Sequence, residues 1–170
     1  MCPIGDIDGQ LQLIAATTTT DDSPEAARYS LGNANVYNFI QSVAFGTGSG
    51  EANKQIQADV SVVNGAPLTL DLEDGTVLDS FGAPFDANNI KGVIIRHKPT
   101  SLASSIDLSG NFLTANNLGT PSLAPGNWIA FNFFNGGKPT VAATSDEITF
   151  TNPDGANPAD IEYVFYGDDL

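Results

Sequence analysis

Apolar side chains recur at every second position through much of this chain, and that period of two constrains the fold more than any other feature. Between positions 54 and 63, Ile56, Ala58, Val60 and Val62 alternate with Gln55, Gln57, Asp59 and Ser61. Leu68, Leu70 and Leu72 alternate with Thr69, Asp71 and Glu73, and Ile148 and Phe150 alternate with Thr149 and Thr151. Successive side chains of an extended strand point to opposite faces, so each run predicts a strand with one buried and one wet face. Residues 92–95, 128–134 and 161–166 are apolar at consecutive positions and predict central strands covered on both sides. Residues 11–14 and 36–45 add two candidate strands near the N-terminus.

Turn chemistry separates these runs: Asn64-Gly65, Asp74-Gly75, Pro125-Gly126-Asn127, Gly136-Gly137 and Pro153-Asp154-Gly155. Short strands at close spacing, punctuated by Gly, Pro and Asn, predict an all-β protein, an antiparallel β-sandwich or barrel. Asp74-Gly75 in particular reads as a type I′ turn. Helix is expected only as single turns, one starting at Ser23-Pro24, with Ser23 as cap, and one over 86–90. Four consecutive threonines within 15–22 and the Gly-Thr-Gly-Ser-Gly-Glu stretch at 46–51 look like loops. They divide the chain into an extended N-terminal arm, 1–50, and a sandwich domain, 51–170. No internal repeat is visible.

The charge balance narrows the partners. The chain has 20 acidic and 6 basic residues, a net charge of −14, while only 15% of its 170 residues are charged and 41% are apolar. Such a surface repels phosphate backbones and anionic lipid heads, so neither nucleic acid nor membrane is the expected partner. Apolar residues spread along the chain supply a core of ordinary size, which argues against disorder. With Cys2 alone, no internal disulfide can form. The first residues have neither a charged start nor an apolar run, and no stretch approaches the roughly 20 apolar residues of a membrane span. The expectation is a protein made in a cytosol and not exported by a standard route.

Catalytic chemistry finds little to work with. His97 is the one histidine; it lies between Arg96 and Lys98, and reads as an ordinary strand-end residue rather than a general base. Ser49 sits in Gly-Thr-Gly-Ser-Gly, which is neither a nucleophile elbow nor a phosphate loop. One His and one Cys cannot make a zinc site. Asp6-Ile7-Asp8-Gly9 resembles the start of a calcium loop without its remaining ligands. Asp71, Glu73, Asp74 and Asp79 bracket a turn and are weak calcium candidates, the favoured reading being wet-face carboxylates beside a turn. Trp128, Phe131, Phe133 and Phe134 read as core rather than a sugar platform, whereas Tyr163 and Tyr166 are candidates to reach the surface. No catalytic residue, metal or cofactor is expected. Lys91, Arg96 and Lys98 put half of the basic residues within eight positions. They are candidates for a docking contact with an acidic protein surface, or equally for an edge strand protected by charge.

From Leu68 onward the chain resembles a group of small structural proteins of tailed bacteriophage particles. The resemblance is carried by Leu-Thr-Leu-Asp-Leu-Glu-Asp-Gly at 68–75, Leu78-Asp79-Ser80-Phe81-Gly82, and Ile90-Lys91-Gly92-Val93-Ile94-Ile95-Arg96. Pro125-Gly126 before an aromatic strand, Asp146-Glu147-Ile148-Thr149-Phe150-Thr151-Asn152, and residues 161–167 continue it. It covers roughly the last 100 residues and leaves the arm unmatched. It implies a jelly-roll-like sandwich without catalytic residues, serving as a head decoration or cement subunit on the capsid exterior. Expected partners are the major capsid protein and copies of itself, as a trimer. A tail or fibre accessory role, or a carbohydrate-binding module that recognises a receptor, is the alternative.

Overall fold

The computed structural model describes residues 9–16, 36–45, 51–79, 82–133, 136–140 and 144–169. The chain divides into two compact units, Met1–Ala44 and Phe45–Leu170. In the first, β1 (Gly9–Ala16) pairs antiparallel with β2 (Val36–Phe45), from Gly9 opposite Val43 to Ala16 opposite Val36. Both strands were expected. The candidate helix at Ser23 and the loop residues 17–22 and 46–50 lie outside the described residues.

The second unit is built from β3 (Glu51–Ala52), β4 (Lys54–Val62), β5 (Leu68–Asp71), β6 (Asn89–His97), β7 (Ile106–Ser109), β8 (Ser122–Leu123), β9 (Trp128–Asn132), β10 (Lys138–Pro139), β11 (Glu147–Thr151) and β12 (Ala159–Asp168). One antiparallel sheet runs β10-β6-β12-β4, with β9 also on the free edge of β6; a second runs β5-β11-β7-β8. The chain alternates between them, so β4, β6 and β12 lie in the first sheet and β5, β7 and β11 in the second. This is the all-β architecture that the period of two predicts.

Alternation explains the core. In β4, Ile56 and Val62 are buried while Gln57, Asp59 and Ser61 face out; in β11, Ile148 and Phe150 are buried between exposed Glu147 and Thr151. The inward residues of both sheets form one cluster, including Val93, Ile95, Ile161 and Phe165 from the first and Leu70, Ile106, Leu108 and Phe150 from the second. Phe150 stacks on Tyr163 with ring centroids 5.7 Å apart, and Tyr163 meets Phe165 edge-on at 5.6 Å. The Phe150–Tyr163 contact joins the two sheets, while Tyr163 and Phe165 are neighbours on one face of β12; truncating one such ring to alanine removes about 3–5 kcal/mol.

Several expectations need correction. β9 is apolar by sequence, yet it lies at the edge of its sheet with every second residue exposed, and Trp128 at its start is 45% exposed. Tyr163 and Tyr166, expected near the surface, are buried. Asp74-Gly75 is no type I′ turn: Gly75 has φ +71°, but among the described residues Asn117 alone, glycines aside, takes a positive φ. Residues 86–90 are not helical; Asn89 and Ile90 open β6. The short helix is instead α1 (Asn111–Ala115), which buries Phe112 and Leu113 and is tied to β11 through Asn111. The Asn111 amide donates to Asp146 Oδ1 at 2.8 Å and its carbonyl accepts the Glu147 N–H at 2.6 Å. Gly110 must precede it, because a Cβ there would lie 2.3 Å from the Glu147 carbonyl oxygen.

Candidate functional site

β6 and β12 run side by side through the middle of the first sheet and carry charge at both ends. Toward the end of β6, Arg96 stands opposite Glu162 of β12, which in turn stands opposite Asp59 of β4. Two carboxylates directly across a strand pair repel. Lys98 relieves this: its ammonium is bonded to Asp59 and lies 3.9 Å from Glu162 Oε1, while Arg96 Nη1 lies 3.4 Å from Glu162 Oε2. The hydrogen bond from Lys98 to Asp59 and the nearby negative charge hold the Lys98 ammonium above its ordinary pKa. Trp128 stands beside Arg96 on β9 and completes a row across β4, β12, β6 and β9. Next to this row, Gln57, Ile94 and Val164 line an open groove together with Asp59, Arg96 and Glu162.

Lys91 does not belong to this surface. It is 3% exposed, with its ammonium 2.7 Å from Asp168 Oδ2. Of the three basic docking candidates, then, Lys91 is spent in the interior, and Arg96 and Lys98 are paired within the chain. Together with Asp59 and Glu162 they form a mixed-charge row rather than a positive patch.

His97 is fully buried. Its Nδ1 lies 2.8 Å from the Leu123 carbonyl, an acceptor, so Nδ1 carries the proton; Nε2 has no hydrogen-bond partner among the described residues. The imidazole ties β6 to β8 across the core and is out of reach of a substrate.

The carboxylates around Gly75 serve as turn acceptors. Asp71 Oδ1 takes the N–H groups of Glu73 and Asp74 at 3.1 and 3.2 Å, Asp74 Oδ1 that of Thr76 at 2.8 Å, and Asp79 Oδ1 that of Ala83 at 2.8 Å. Hydrogen bonds from Thr76 hold the Asp74 carboxyl below its usual range. Glu73 lies with them on this segment, and no group of three metal-ligating side chains forms among the described residues. Asp6, Asp8 and Ser49 lie outside the described residues, as does Phe134.

Some working residues escaped sequence reasoning. Asp154 gathers the N–H groups of Ser104, Ala156 and Asn157, and Asn152 donates to the carbonyls of Val62 and Asn157, binding three loops at one end of the sheets. The three bonds to Asp154 hold its carboxyl below the usual range. The Pro-Asp-Gly signal marked a turn there but not its partners. Three of the exposed apolar side chains share that end. Among the described residues, the large hydrophobics left exposed are Val63, Leu78, Leu102 and Trp128. Val63 follows β4, Leu102 lies in the loop after β6, and Trp128 opens β9; the pairing of Val62 with Ala159, His97 with Ile161 and Arg96 with Trp128 brings these three positions to the same end of the sheet. Leu102 is 77% exposed.

Comparisons of the chain with models of protein families, with curated proteins and with solved structures found no match.

Proposed function

We propose that this protein is a non-enzymatic structural component of a bacteriophage particle, a decoration or cement subunit that stabilises the capsid from outside. Its body would be an antiparallel β-sandwich of jelly-roll type. The observation that carries this reading is the concentration of Val63, Leu102 and Trp128 at one end of the first sheet. Exposed apolar side chains grouped on a rigid body favour a protein partner. A net charge of −14 keeps such a body soluble at high copy number. The N-terminal unit, Met1–Ala44, supplies a second element that can engage a neighbouring subunit in a trimer or the major capsid protein.

The test is co-sedimentation of purified protein with particles. The wild-type chain is expected to bind, and the full-length Leu102→Glu/Trp128→Glu variant is expected to stay folded and lose binding. Undiminished binding by that variant would overturn the reading. Electron microscopy of the native particle distinguishes a head position from the tail or fibre alternative.

One observation favours a second reading. An exposed tryptophan beside Arg96, Glu162 and Asp59 combines a flat apolar surface with hydrogen-bonding groups, the pairing used to hold sugars. Glycan binding abolished by Trp128→Ala, without particle binding, would select the carbohydrate-binding alternative.

A further inference from the structure

The buried end of the β6–β12 pair holds a lysine, an aspartate and an asparagine in one polar cluster. Lys91 Nζ lies 2.7 Å from Asp168 Oδ2, and Asn89 Nδ2 donates to Asp168 Oδ1 at 2.8 Å. Lys91 and Asp168 are 3% and 1% exposed. A β-bulge brings them together: the register passes from Tyr166 opposite Gly92 to Gly167 opposite Ile90, which leaves Lys91 without a facing residue on β12. Packing around the cluster is tight. A Cβ at Gly137 would come within 2.8 Å of Asn89 Cβ and 3.2 Å of Lys91 Cδ, and one at Gly167 within 2.7 Å of the Asn89 carbonyl oxygen.

From this geometry we infer that Lys91 and Asp168 are the site of an intramolecular covalent modification, a side-chain amide that cross-links β6 to β12. The amine nitrogen touches Oδ2, one C–O bond away from the carboxyl carbon it would attack, and the paired strands β6 and β12 hold the two groups together. In the step, one proton passes from Nζ to Oδ2, and the freed lone pair of Nζ attacks Cγ. The Cγ–Oδ2 bond then breaks, and Oδ2 leaves as water with that proton and a second one from Nζ. An ammonium and a carboxylate become one secondary amide and one water, with no oxidant, reductant or cofactor required. Asn89 Nδ2–H points at Oδ1, where negative charge develops as the tetrahedral intermediate forms. Two buried opposite charges are an unfavourable state of such a site, and a neutral amide removes their desolvation penalty. Close packing keeps out the water that would reverse the reaction.

The inference is independent of the proposed function, and its test needs no partner. Intact mass spectrometry of the purified full-length chain should give a mass one water below that of the sequence. A tryptic digest should contain one branched peptide joining the segment around Lys91 to the C-terminal segment, with no cleavage after Lys91. Lys91→Arg keeps a cation opposite Asp168 but cannot form this amide, and should return the full sequence mass. A wild-type chain at full sequence mass would overturn the inference. So would a water loss that maps elsewhere, such as to a cyclised Asp74-Gly75, or that persists in Lys91→Arg.

Discussion

The two ends of the β6–β12 pair bear the same kinds of charged group in opposite surroundings. At one end Arg96 and Glu162 are 47% and 43% exposed by side chain and share their charges with Lys98 and Asp59. At the other, Lys91 and Asp168 are 4% and 2% exposed and meet at 2.7 Å. Water and salt screen the first set, so any one contact contributes little and can be lost without leaving a stranded charge. In the second, each charge depends on the other, because neither can turn to solvent. Ion pairs on one strand pair thus differ by their dielectric environment rather than by their chemistry.

This contrast can be broken from the buried side first. Measured against Lys91→Arg, which keeps the buried charge pair and cannot form the amide, Asp168→Ala should strand the Lys91 ammonium and lower stability by about 3–5 kcal/mol, read as a shift of the urea midpoint. Replacing both partners, Lys91→Met with Asp168→Leu, should recover most of that loss, since no buried charge remains. A double variant as unstable as the single one would show that packing, not desolvation, governs this end. Gly167→Ala probes the same end without touching charge. Its Cβ would meet Asn89 O at 2.7 Å and Ala87 Cβ at 2.8 Å, and overpacking of this kind costs about 1–3 kcal/mol.

At the exposed end, Asp154 in the loop that leads into β12 responds to pH instead. Its folded pKa lies below the unfolded value of about 3.9, so its contribution is present above that value and is lost as pH falls through the folded one. Wild type and Asp154→Ala should differ in urea midpoint at neutral pH and converge on acidification. Parallel curves at all pH values would assign the effect to the loop's packing. The smallest effect belongs to Arg96→Ala, about 0.2–1 kcal/mol, fading as salt is raised. A salt-independent loss there would mean that the guanidinium stem, rather than its charge, matters through its packing over the sheet.

Much of the strand plan was legible because periodicity is local. β2 has the expected bounds, β4 falls short of them by one residue, and β5, β6, β9, β11 and β12 fall on the expected runs. Strands of two to four residues, such as β7, β8 and β10, carry too few alternations to stand out. Edge and centre were confused in β9 because an apolar run looks the same at either position; only pairing reveals that, among the described residues, β9 has β6 on one side alone. The candidate site was less legible. Lys91, Arg96 and Lys98 look like one basic cluster in sequence, but the bulge at Gly167 and the inward course of Lys91 separate one of them from the other two. Their carboxylate partners Asp59, Glu162 and Asp168 are distant in the chain, so no local pattern could announce them.

The sequence alone determined an all-β chain with an acidic surface, one histidine and a single cysteine. Alternation, turn residues and composition are properties of neighbours along the chain, and they hold wherever the strands finally pair. Which charges are buried, which aromatic side chain faces water and which apolar residues gather at one end were decided by the tertiary structure. Those properties arise when strands far apart in sequence pair and cover one another. The free energy of a charge or an apolar surface depends on what covers it, and only the folded chain sets that.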